Sequence, residues 1–246
     1  MLDIGRDNNI ALFTLNNPPV NALSSELIAR LKAAFQDLSK ENNIKTIIIT
    51  GAGKTFCAGA DIKEMAAIKT RKEGELFAGN GQGLMDMIEG SNIPVIAAIN
   101  GACIGGGNEL AMACHMRIAS ENAWFSQPEI NLGIIPGFGG TQRLPRIIGR
   151  AKAVELILTG DKIGVKEALI FGLINKITSP EKLMDEAKAL AGIFASKGKL
   201  AIAACLKAIH GRDAENKLFG EICETEDKKE GIKAFLEKRK VVFKDK

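Results

Sequence analysis

Five short apolar runs, separated by helical patterns, constrain the fold of this chain more than any other feature of its sequence. Ile10–Asn16 alternates between apolar and polar residues, and Gly172–Ile177 is a later apolar run. Three further runs are rich in β-branched residues, namely Thr46–Thr50, Pro94–Asn100 and Met116–Ser120. Runs of this kind suit parallel strands that are covered by helices. Alternation of such strands with helices predicts an α/β architecture.

The helical patterns lie between and after these runs. One apolar stripe follows the N-cap candidates Ser24 and Ser25, and it consists of Leu27, Ile28, Leu31, Phe35 and Leu38. A second helix is predicted from about residue 73 to 88. Beyond about Pro180 the strand signal ends, and the sequence becomes helical and amphipathic with breaks near Gly198 and Gly211. We therefore predict an α/β core domain over residues 1–190 and a helical region over residues 191–246.

Composition places the chain among soluble globular proteins. Its 246 residues can bury a substantial core, with 46% hydrophobic and 25% charged residues and a formal net charge of +4. Five cysteines without CxxC spacing indicate reduced thiols, each expected as a small buried hydrophobic residue. No signal-peptide pattern opens the chain, and no uncharged apolar run approaches the roughly 18–20 residues of a membrane span. We expect a cytoplasmic protein without a membrane partner.

The stretch TGAGKTF (residues 50–56) contains Gly-Lys-Thr and so suggests a nucleotide site. A P-loop requires a glycine five positions before Gly53, but that position is Ile48. A Rossmann fingerprint requires glycine where Phe56 stands. The pattern therefore favours a glycine-rich turn after a strand rather than a phosphate-binding loop.

The next stretch, FCAGADIKEM (residues 56–65), has residues that allow a ligand to approach the backbone. Ala58, Gly59 and Ala60 are small, and Asp61 is a good N-cap for the turn that follows. A backbone N–H near Ala60 would then point away from that helix toward a bound group. A tight strand-to-helix turn with no ligand explains the same residues equally well.

The stretch INGACIGGGNELAMAC (residues 99–114) places three glycines between an apolar strand and a helix. If Asn108 caps this helix, Gly106 and Gly107 lie at its N-terminal end, where unpaired N–H groups attract a negative oxygen. The glycines also suit close packing of the strand against the helix. Glu109, taken alone, suits a first-turn carboxylate that complements the helix dipole.

A second carboxylate, Glu129, stands among apolar residues in a segment expected to be extended, because Gln127 precedes a proline. Apolar surroundings disfavour the charged carboxylate, so such a group can hold a proton near neutral pH. Glu109 and Glu129 together are candidates for a general acid/base pair. His115 and His210 have no further His or Cys at ligand spacing, so we expect a structural His115 and no metal site.

These motifs, with QPEINLGIIPGFGGTQRLPR (residues 127–146), closely resemble the enoyl-CoA hydratase (crotonase) family over almost the whole chain. The resemblance implies a spiral of β-β-α repeats with C-terminal helices that form a homotrimer, or a hexamer built as a dimer of trimers. It also implies an acyl-CoA thioester substrate, with coenzyme A as part of the substrate and no separate cofactor.

The resemblance further implies a role for individual residues. The backbone N–H groups of Ala60 and Gly106 would form an oxyanion hole for the thioester carbonyl. Glu109 would activate the water that adds to C3, Glu129 would protonate C2, and Gly137 would help to hold the water. The residues that would contact the substrate are Ala22, Leu23, Ala58, Ala60, Asp61, Ile62, Lys63 and Gly106.

The presence of both glutamates indicates hydration rather than the other reactions of this superfamily. A branched-chain, methylglutaconyl-type hydratase keeps both carboxylates and is the nearest alternative, followed by an enoyl-CoA isomerase. RNA binding is a distant alternative, because helix residues 25–40 carry only Arg30, Lys32 and Lys40 with acidic residues among them. We therefore expect no nucleic-acid partner and a role in fatty-acid metabolism by β-oxidation.

Overall fold

The computed structural model describes residues 1–211 and 214–246. The strands are β1 (Leu2–Asp7), β2 (Ile10–Leu15), β3 (Thr46–Gly51), β4 (Thr55–Cys57), β5 (Val95–Ile99), β6 (Ala102–Ile104), β7 (Met116–Ser120), β8 (Trp124–Ser126), β9 (Lys162–Gly164) and β10 (Lys176–Thr178). The helices are α1 (Ser25–Lys40), α2 (Ile62–Ala66), α3 (Arg71–Glu89), α4 (Gly106–Ala113), α5 (Gly140–Ile148), α6 (Arg150–Thr159), α7 (Val165–Ile170), α8 (Leu183–Ala195), α9 (Lys199–Ile209), α10 (Glu215–Cys223) and α11 (Glu226–Leu236).

The strands form a six-stranded sheet in the order β1-β2-β3-β5-β7-β10 and a four-stranded sheet in the order β4-β6-β8-β9. Pairing is parallel except between β1 and β2 and between β8 and β9. In successive units, β3-β4, β5-β6 and β7-β8, the first strand joins the large sheet and the second joins the small sheet. Helices follow each pair, which confirms the predicted spiral of β-β-α repeats.

The central strands of the large sheet are buried on both faces, as parallel strands require. On one face, Ile48 and Ile96 pack with the buried residues of α8, which are Leu183, Ala187 and Ala191. Ile47 and Ile49 point to the opposite face and belong to the main core. Helix α8 therefore covers the α/β core, and the predicted boundary after residue 190 falls within it.

Most of the predicted elements are present. Ser24 caps α1 by accepting a hydrogen bond from Leu27 N at 3.2 Å, and the helix predicted over residues 73–88 is α3. The stretch after β3 is the predicted turn, which leads into β4. Strand β1 was missed because five of its six residues are exposed, so no apolar pattern marks it.

The strand predicted over Gly172–Ile177 is wrong for its first four residues. The N–H groups of Leu173 and Ile174 donate to Ala168 O at 2.8 and 3.3 Å, which closes the end of α7, and the strand begins at Lys176. Gly172 has a φ of +78°, a conformation that suits a helix C-terminus and no strand.

The cysteine prediction is partly wrong. Cys57, Cys103 and Cys114 are buried free thiols, but Cys205 on α9 is exposed and Cys223 on α10 is half-buried. Both cysteines lie on helices that follow the α/β core, and most side chains of these helices are not fully buried.

No single helix among the described residues is long and apolar enough to cross a membrane. One pair of helices, residues 180–195 and 199–209, passes by length and composition when its members are taken together, but the pair is bent by 104° at the break between them.

Arg117 on β7 holds the C-terminal end of α4 in place. The buried guanidinium donates to Cys114 O at 2.6 Å, to Ala111 O at 3.3 Å and to Leu173 O at 2.6 Å. Carbonyls at a helix C-terminus attract a cation, so these bonds are stronger than bonds between neutral groups.

Arg117→Ala is expected to lower the free energy of unfolding by about 3 kcal/mol, because it removes the charged donor that three carbonyls share in the interior. Urea unfolding followed by circular dichroism measures this loss. Arg150→Ala, at an exposed position on α6, is the matched control and should change stability by no more than about 0.5 kcal/mol. Equal stability of the two variants would contradict the anchoring role of Arg117.

Candidate active site

A cavity of about 770 Å³ opens between the small sheet, helix α3 and the segment that leads into α5. Apolar side chains line most of it, including Phe77, Leu132 and Ile135. The structure places seven of the residues singled out by the sequence along its wall, namely Ala58, Ala60, Ile62, Gly106, Glu109, Glu129 and Gly137.

Four other predicted substrate contacts, Ala22, Leu23, Asp61 and Lys63, do not line this cavity. Leu23 is fully buried and pairs with Ala60 in an isolated parallel bridge. Asp61 caps α2, as predicted, by accepting from Lys63 N at 2.8 Å. These residues therefore support the backbone around Ala60 from outside the cavity.

The backbone amides of Ala60 and Gly106 lie next to each other. In the bridge between Leu23 and Ala60, Leu23 N donates to Gly59 O at 2.8 Å and Asp61 N donates to Leu23 O at 3.2 Å. The N–H of Ala60 takes no part in this pairing. Gly106 is the first residue of α4, where N–H groups have no acceptor within the helix. A Cβ built at Gly106 would stand 3.2 Å from Ala60 N, so glycine keeps the space between the two amides clear.

The other two glycines of this motif, Gly105 and Gly107, are required for different structural reasons. Gly105 has a φ of +50°, and a Cβ there would lie 2.9 Å from Glu129 Oε1. At Gly107 a Cβ would overlap the carbonyl of Cys57 on β4. Close strand–helix packing therefore explains Gly107, while Gly105 and Gly106 border the cavity.

Asn108 is not the N-cap that the sequence predicted. Glu109 N donates to Gly105 O at 2.9 Å, so the first helical hydrogen bond begins at Gly105, and Asn108 lies within the first turn. Its buried side chain instead donates from Nδ2 to Gln127 Oε1 at 2.9 Å. This amide pair ties α4 to the segment that carries Glu129.

Glu109 is 1% exposed and is held by the backbone of the segment before α5. Its Oε1 accepts from Phe138 N at 2.8 Å and from Gly140 N at 2.6 Å. The amide of Gly140 opens helix α5, so a helix N-terminus faces the carboxylate. Gly137, predicted to hold water, lines the cavity one residue before these donors, and its carbonyl accepts from Gln82 Nε2 at 2.8 Å.

Glu129 lies in a 3-10 turn, Pro128–Leu132, and not in the extended segment that was predicted. The restriction before a proline applies to Gln127, whose φ of −118° and ψ of 78° are non-helical, whereas Pro128 itself suits the first position of a helical turn. Glu129 Oε1 lies 3.5 Å from Gln127 Nε2, and its buried Oε2 has no hydrogen-bond partner among the described residues.

Burial raises the pKa of both carboxyl groups. The pKa of Glu109 rises to about 7, since the desolvation of the charged form outweighs the opposing hydrogen bond from Gly140, and the charge of Glu129 adds to the rise. Burial also raises the pKa of Glu129. The site therefore brings together two carboxyl groups of raised pKa, of which Glu109 titrates near neutral pH.

The raised pKa of Glu109 has a consequence for stability. In the unfolded chain a glutamate titrates near 4.3, so the folded protein binds more protons than the unfolded one between about pH 4.3 and 7 and loses stability as pH rises through this range. Glu109→Gln, which has no charge to bury, is expected to be more stable than the wild type at pH 8 by up to about 3 kcal/mol and equal to it at pH 4. Urea unfolding at the two pH values tests this, and an equal difference at both would contradict it.

His115 accepts a hydrogen bond from Val95 N at its Nδ1, at 2.9 Å, which fits the predicted structural role. Burial lowers its pKa to about 4, so the ring is neutral at pH 7. In residues 1–211 and 214–246, no group of three or more His, Cys, Asp or Glu side chains is arranged to hold a metal ion.

A family model described as enoyl-CoA hydratase/isomerase matches residues 5–246. The chain belongs to the enoyl-CoA hydratase/isomerase family. It is 47% identical to a Bacillus subtilis protein named "Probable enoyl-CoA hydratase", over 99% of this chain and 98% of that protein. It is 42% identical to the crotonyl-CoA hydratase of Syntrophomonas wolfei, over 97% and 95% of the two chains. The crystal structure of an enoyl-CoA hydratase from Bacillus anthracis superposes with a TM-score of 0.94 at 36% identity, covering 100% of this chain and 99% of that one.

Sequence reasoning missed three features of the site in this member of the family. They are the Asn108–Gln127 amide pair, the Phe138 and Gly140 donors to Glu109, and the buried Arg143 beside the same segment. The glycine-rich sequence Gly137–Gly140 is a signal for the backbone donors, because glycines let the chain wrap a carboxylate closely. No local pattern pairs Asn108 with Gln127.

Proposed function

We propose that this protein hydrates trans-2-enoyl-CoA thioesters, adding water across the 2,3 double bond to give 3-hydroxyacyl-CoA. The observation that carries the proposal is one cavity in which the buried Glu109 and the half-buried Glu129, both of raised pKa, lie beside two adjacent backbone amides. The names of the relatives, enoyl-CoA hydratase and crotonyl-CoA hydratase, support the same reaction.

The amides of Ala60 and Gly106 would receive the thioester oxygen. When hydroxide adds to C3, negative charge moves through C2 onto this oxygen, and two fixed N–H donors stabilise it without rearrangement. Gly106 stands at the N-terminus of α4, whose partial positive charge adds to the same effect.

Glu109 would take the proton from water, and Glu129 would deliver a proton to C2. Two backbone amides on Oε1 favour the ionised form of Glu109. Glu129 Oε2 has no hydrogen-bond partner in the part of the chain that the structure describes, which suits the protonated form. One proton leaves water and one reaches carbon, so a second transfer from Glu109 to Glu129 or solvent restores the starting state.

Coenzyme A would be part of the substrate, with no separate cofactor. Ala58, Ala60 and Ile62 line the cavity and would contact the substrate, with Asp61 and Lys63 next to them and Ala22 and Leu23 behind. Gly137 would help to hold the reacting water beside Glu109. These assignments rest on the resemblance of the sequence motifs to those of the family.

The proposed assembly is a homotrimer, or a hexamer formed as a dimer of trimers. Large apolar side chains are exposed on the C-terminal helices, among them Ile209, Phe219, Phe235 and Leu236, and association would bury them. The proposed location is the cytoplasm, supported by free thiols, and the proposed pathway is β-oxidation of fatty acids. Light scattering measures the assembly directly.

The test is an assay of the purified chain against enoyl-CoA esters of increasing length, a 3-methylglutaconyl-CoA and a 3-enoyl-CoA. Loss of the conjugated double bond with appearance of 3-hydroxyacyl-CoA supports the proposal. Conversion of the 3-enoyl ester alone would make the protein an isomerase, and preference for the branched ester would make it a methylglutaconyl-type hydratase.

Two of the three cations on the helix that could serve RNA binding form ion pairs within that helix. Arg30 pairs with Glu26 at 2.8 Å, Lys40 with Asp37 at 3.4 Å, and Lys32 donates to Asn80 at 2.8 Å. Interleaved ion pairs leave little net positive field for phosphates. Tight, steeply salt-dependent binding of RNA in a filter assay, without turnover of crotonyl-CoA, would overturn the proposed enzymatic function.

A further inference from the structure

Arg143 on α5 is a buried cation with partners on two sides. The residue is 4% exposed. Toward α3, its Nη2 donates to Asp86 Oδ1 at 2.6 Å and to Glu89 Oε2 at 2.8 Å, and its Nε donates to Glu89 Oε2 at 3.1 Å. In the other direction, its Nη1 donates to Phe138 O at 3.2 Å.

This last bond reaches the segment that holds Glu109. Phe138 gives its carbonyl to Arg143 and its N–H to Glu109, and Gly140, two residues on, gives its N–H to the same carboxylate oxygen. Between them, Gly139 has a φ of +110°, and a Cβ there would overlap Nη1 of Arg143. The guanidinium therefore lies directly on the backbone at residue 139, with α3 fixing it from behind.

We propose that Arg143 is a positioning residue for the hydration reaction, which holds residues 138–140 so that two backbone amides stay directed at Glu109. This role rests on the proposed function of Glu109 as the base. Arg143 does not act on the substrate; it acts through the peptide groups that orient the base. A planar guanidinium suits this task because it donates to the two acids and to the carbonyl at once.

The positive charge of Arg143 favours the ionised form of Glu109, as do the two amides that Arg143 holds in place. The cation lowers the pKa of Glu109, against the burial that raises it. From the 3-10 turn, Glu129 faces Glu109 and opposes its ionisation, while Asp86 and Glu89 on α3 partly neutralise Arg143.

Strands β4 and β6 also pack against α4, and among their described residues no side chain brings a further charge beside Glu109. Cys57 on β4 and Cys103 on β6 are buried thiols whose pKa burial raises, so both are neutral at pH 7. At the far end of the helix, His115 is neutral and Arg117 is bound to backbone carbonyls.

The experiment compares Arg143→Gln and Arg143→Lys with the wild type by two measurements. The first is kcat and KM for crotonyl-CoA against pH. The second is ¹³C NMR titration of the Glu109 carboxyl, assigned by Glu109→Gln. In Arg143→Gln we expect the Glu109 midpoint and the acidic limb of kcat to move up by about one pH unit, which leaves roughly a tenth of the base ionised at pH 7 and lowers kcat about fivefold.

Arg143→Lys keeps a cation between Asp86 and Glu89 but cannot donate to Phe138 O at the same time. The Glu109 midpoint in this variant should therefore lie between those of the wild type and Arg143→Gln. KM should change less than twofold in both variants, since Arg143 is not among the proposed substrate contacts. Arg30→Gln, on the surface of α1, loses the same charge and should keep the wild-type profile.

A folded Arg143→Gln or Arg143→Lys with the wild-type Glu109 midpoint would overturn the proposal. The two levels of inference remain separable, because the NMR titration needs no turnover. If the wild type does not hydrate crotonyl-CoA but Arg143→Gln still raises the Glu109 midpoint, the proposed reaction fails while the hold of Arg143 on Glu109 stands.

Discussion

Glu109→Gln is expected to lower kcat for crotonyl-CoA hydration by about 10²–10⁴-fold, the range typical of a positioned acid or base. The amide is nearly the same shape, and its Oε1 can accept the Phe138 and Gly140 hydrogen bonds as the carboxylate does. It cannot take a proton from water. Steady-state kinetics at several pH values measures the loss, which should not recover at any pH.

The matched change at the other acid, Glu129→Gln, should cause a loss of similar size, because the amide cannot deliver a proton to C2. Glu155→Gln is the control, since this residue forms a surface ion pair with Lys152 on α6. Binding of a saturated acyl-CoA by each variant shows whether the cavity is intact. Full turnover by either active-site variant would exclude that glutamate from acid/base chemistry.

Gly106→Ala is expected to lower kcat for the same substrate by about 10²–10³-fold, the cost of losing one oxyanion donor. The new Cβ would stand 3.2 Å from Ala60 N and 3.1 Å from the Phe138 ring, in the space where the thioester oxygen would lie. Contacts of this length require small shifts of the neighbours, so the fold should persist while the carbonyl is displaced.

The control is Gly192→Ala on α8, where a Cβ would meet no atom within 4 Å. This variant should keep wild-type kcat and gain slightly in stability, because alanine favours a helix more than glycine does. Thermal unfolding of both variants separates loss of structure from loss of chemistry. Unchanged turnover in a folded Gly106→Ala would remove Ala60 and Gly106 from the proposed oxyanion hole.

Local patterns were enough to predict the architecture and several local features of the site. Short apolar runs identified β3, β5 and β7, because parallel strands covered on both faces are apolar throughout. Helical stripes identified α1 and α3, because burial of one helix face imposes a period of 3.6 residues on the sequence. Small residues before Asp61 and at Gly105–Gly107 indicated where backbone amides would be open to a ligand. Where local signals compete, prediction failed: Asn108 resembles a cap, but the glycine before the helix already begins the hydrogen bonding.

The sequence by itself determined the strand–helix alternation, the glycine-rich start of α4 and the presence of two acids in apolar surroundings. Only the tertiary structure decided that Glu109 and Glu129 line one cavity, that amides 29 and 31 residues further along the chain hold Glu109, and that Arg143 reaches back 57 residues to Asp86. Periodicity and capping report each segment's own environment. The pairing of distant segments depends on how the two sheets pack the helices together, which no local pattern contains.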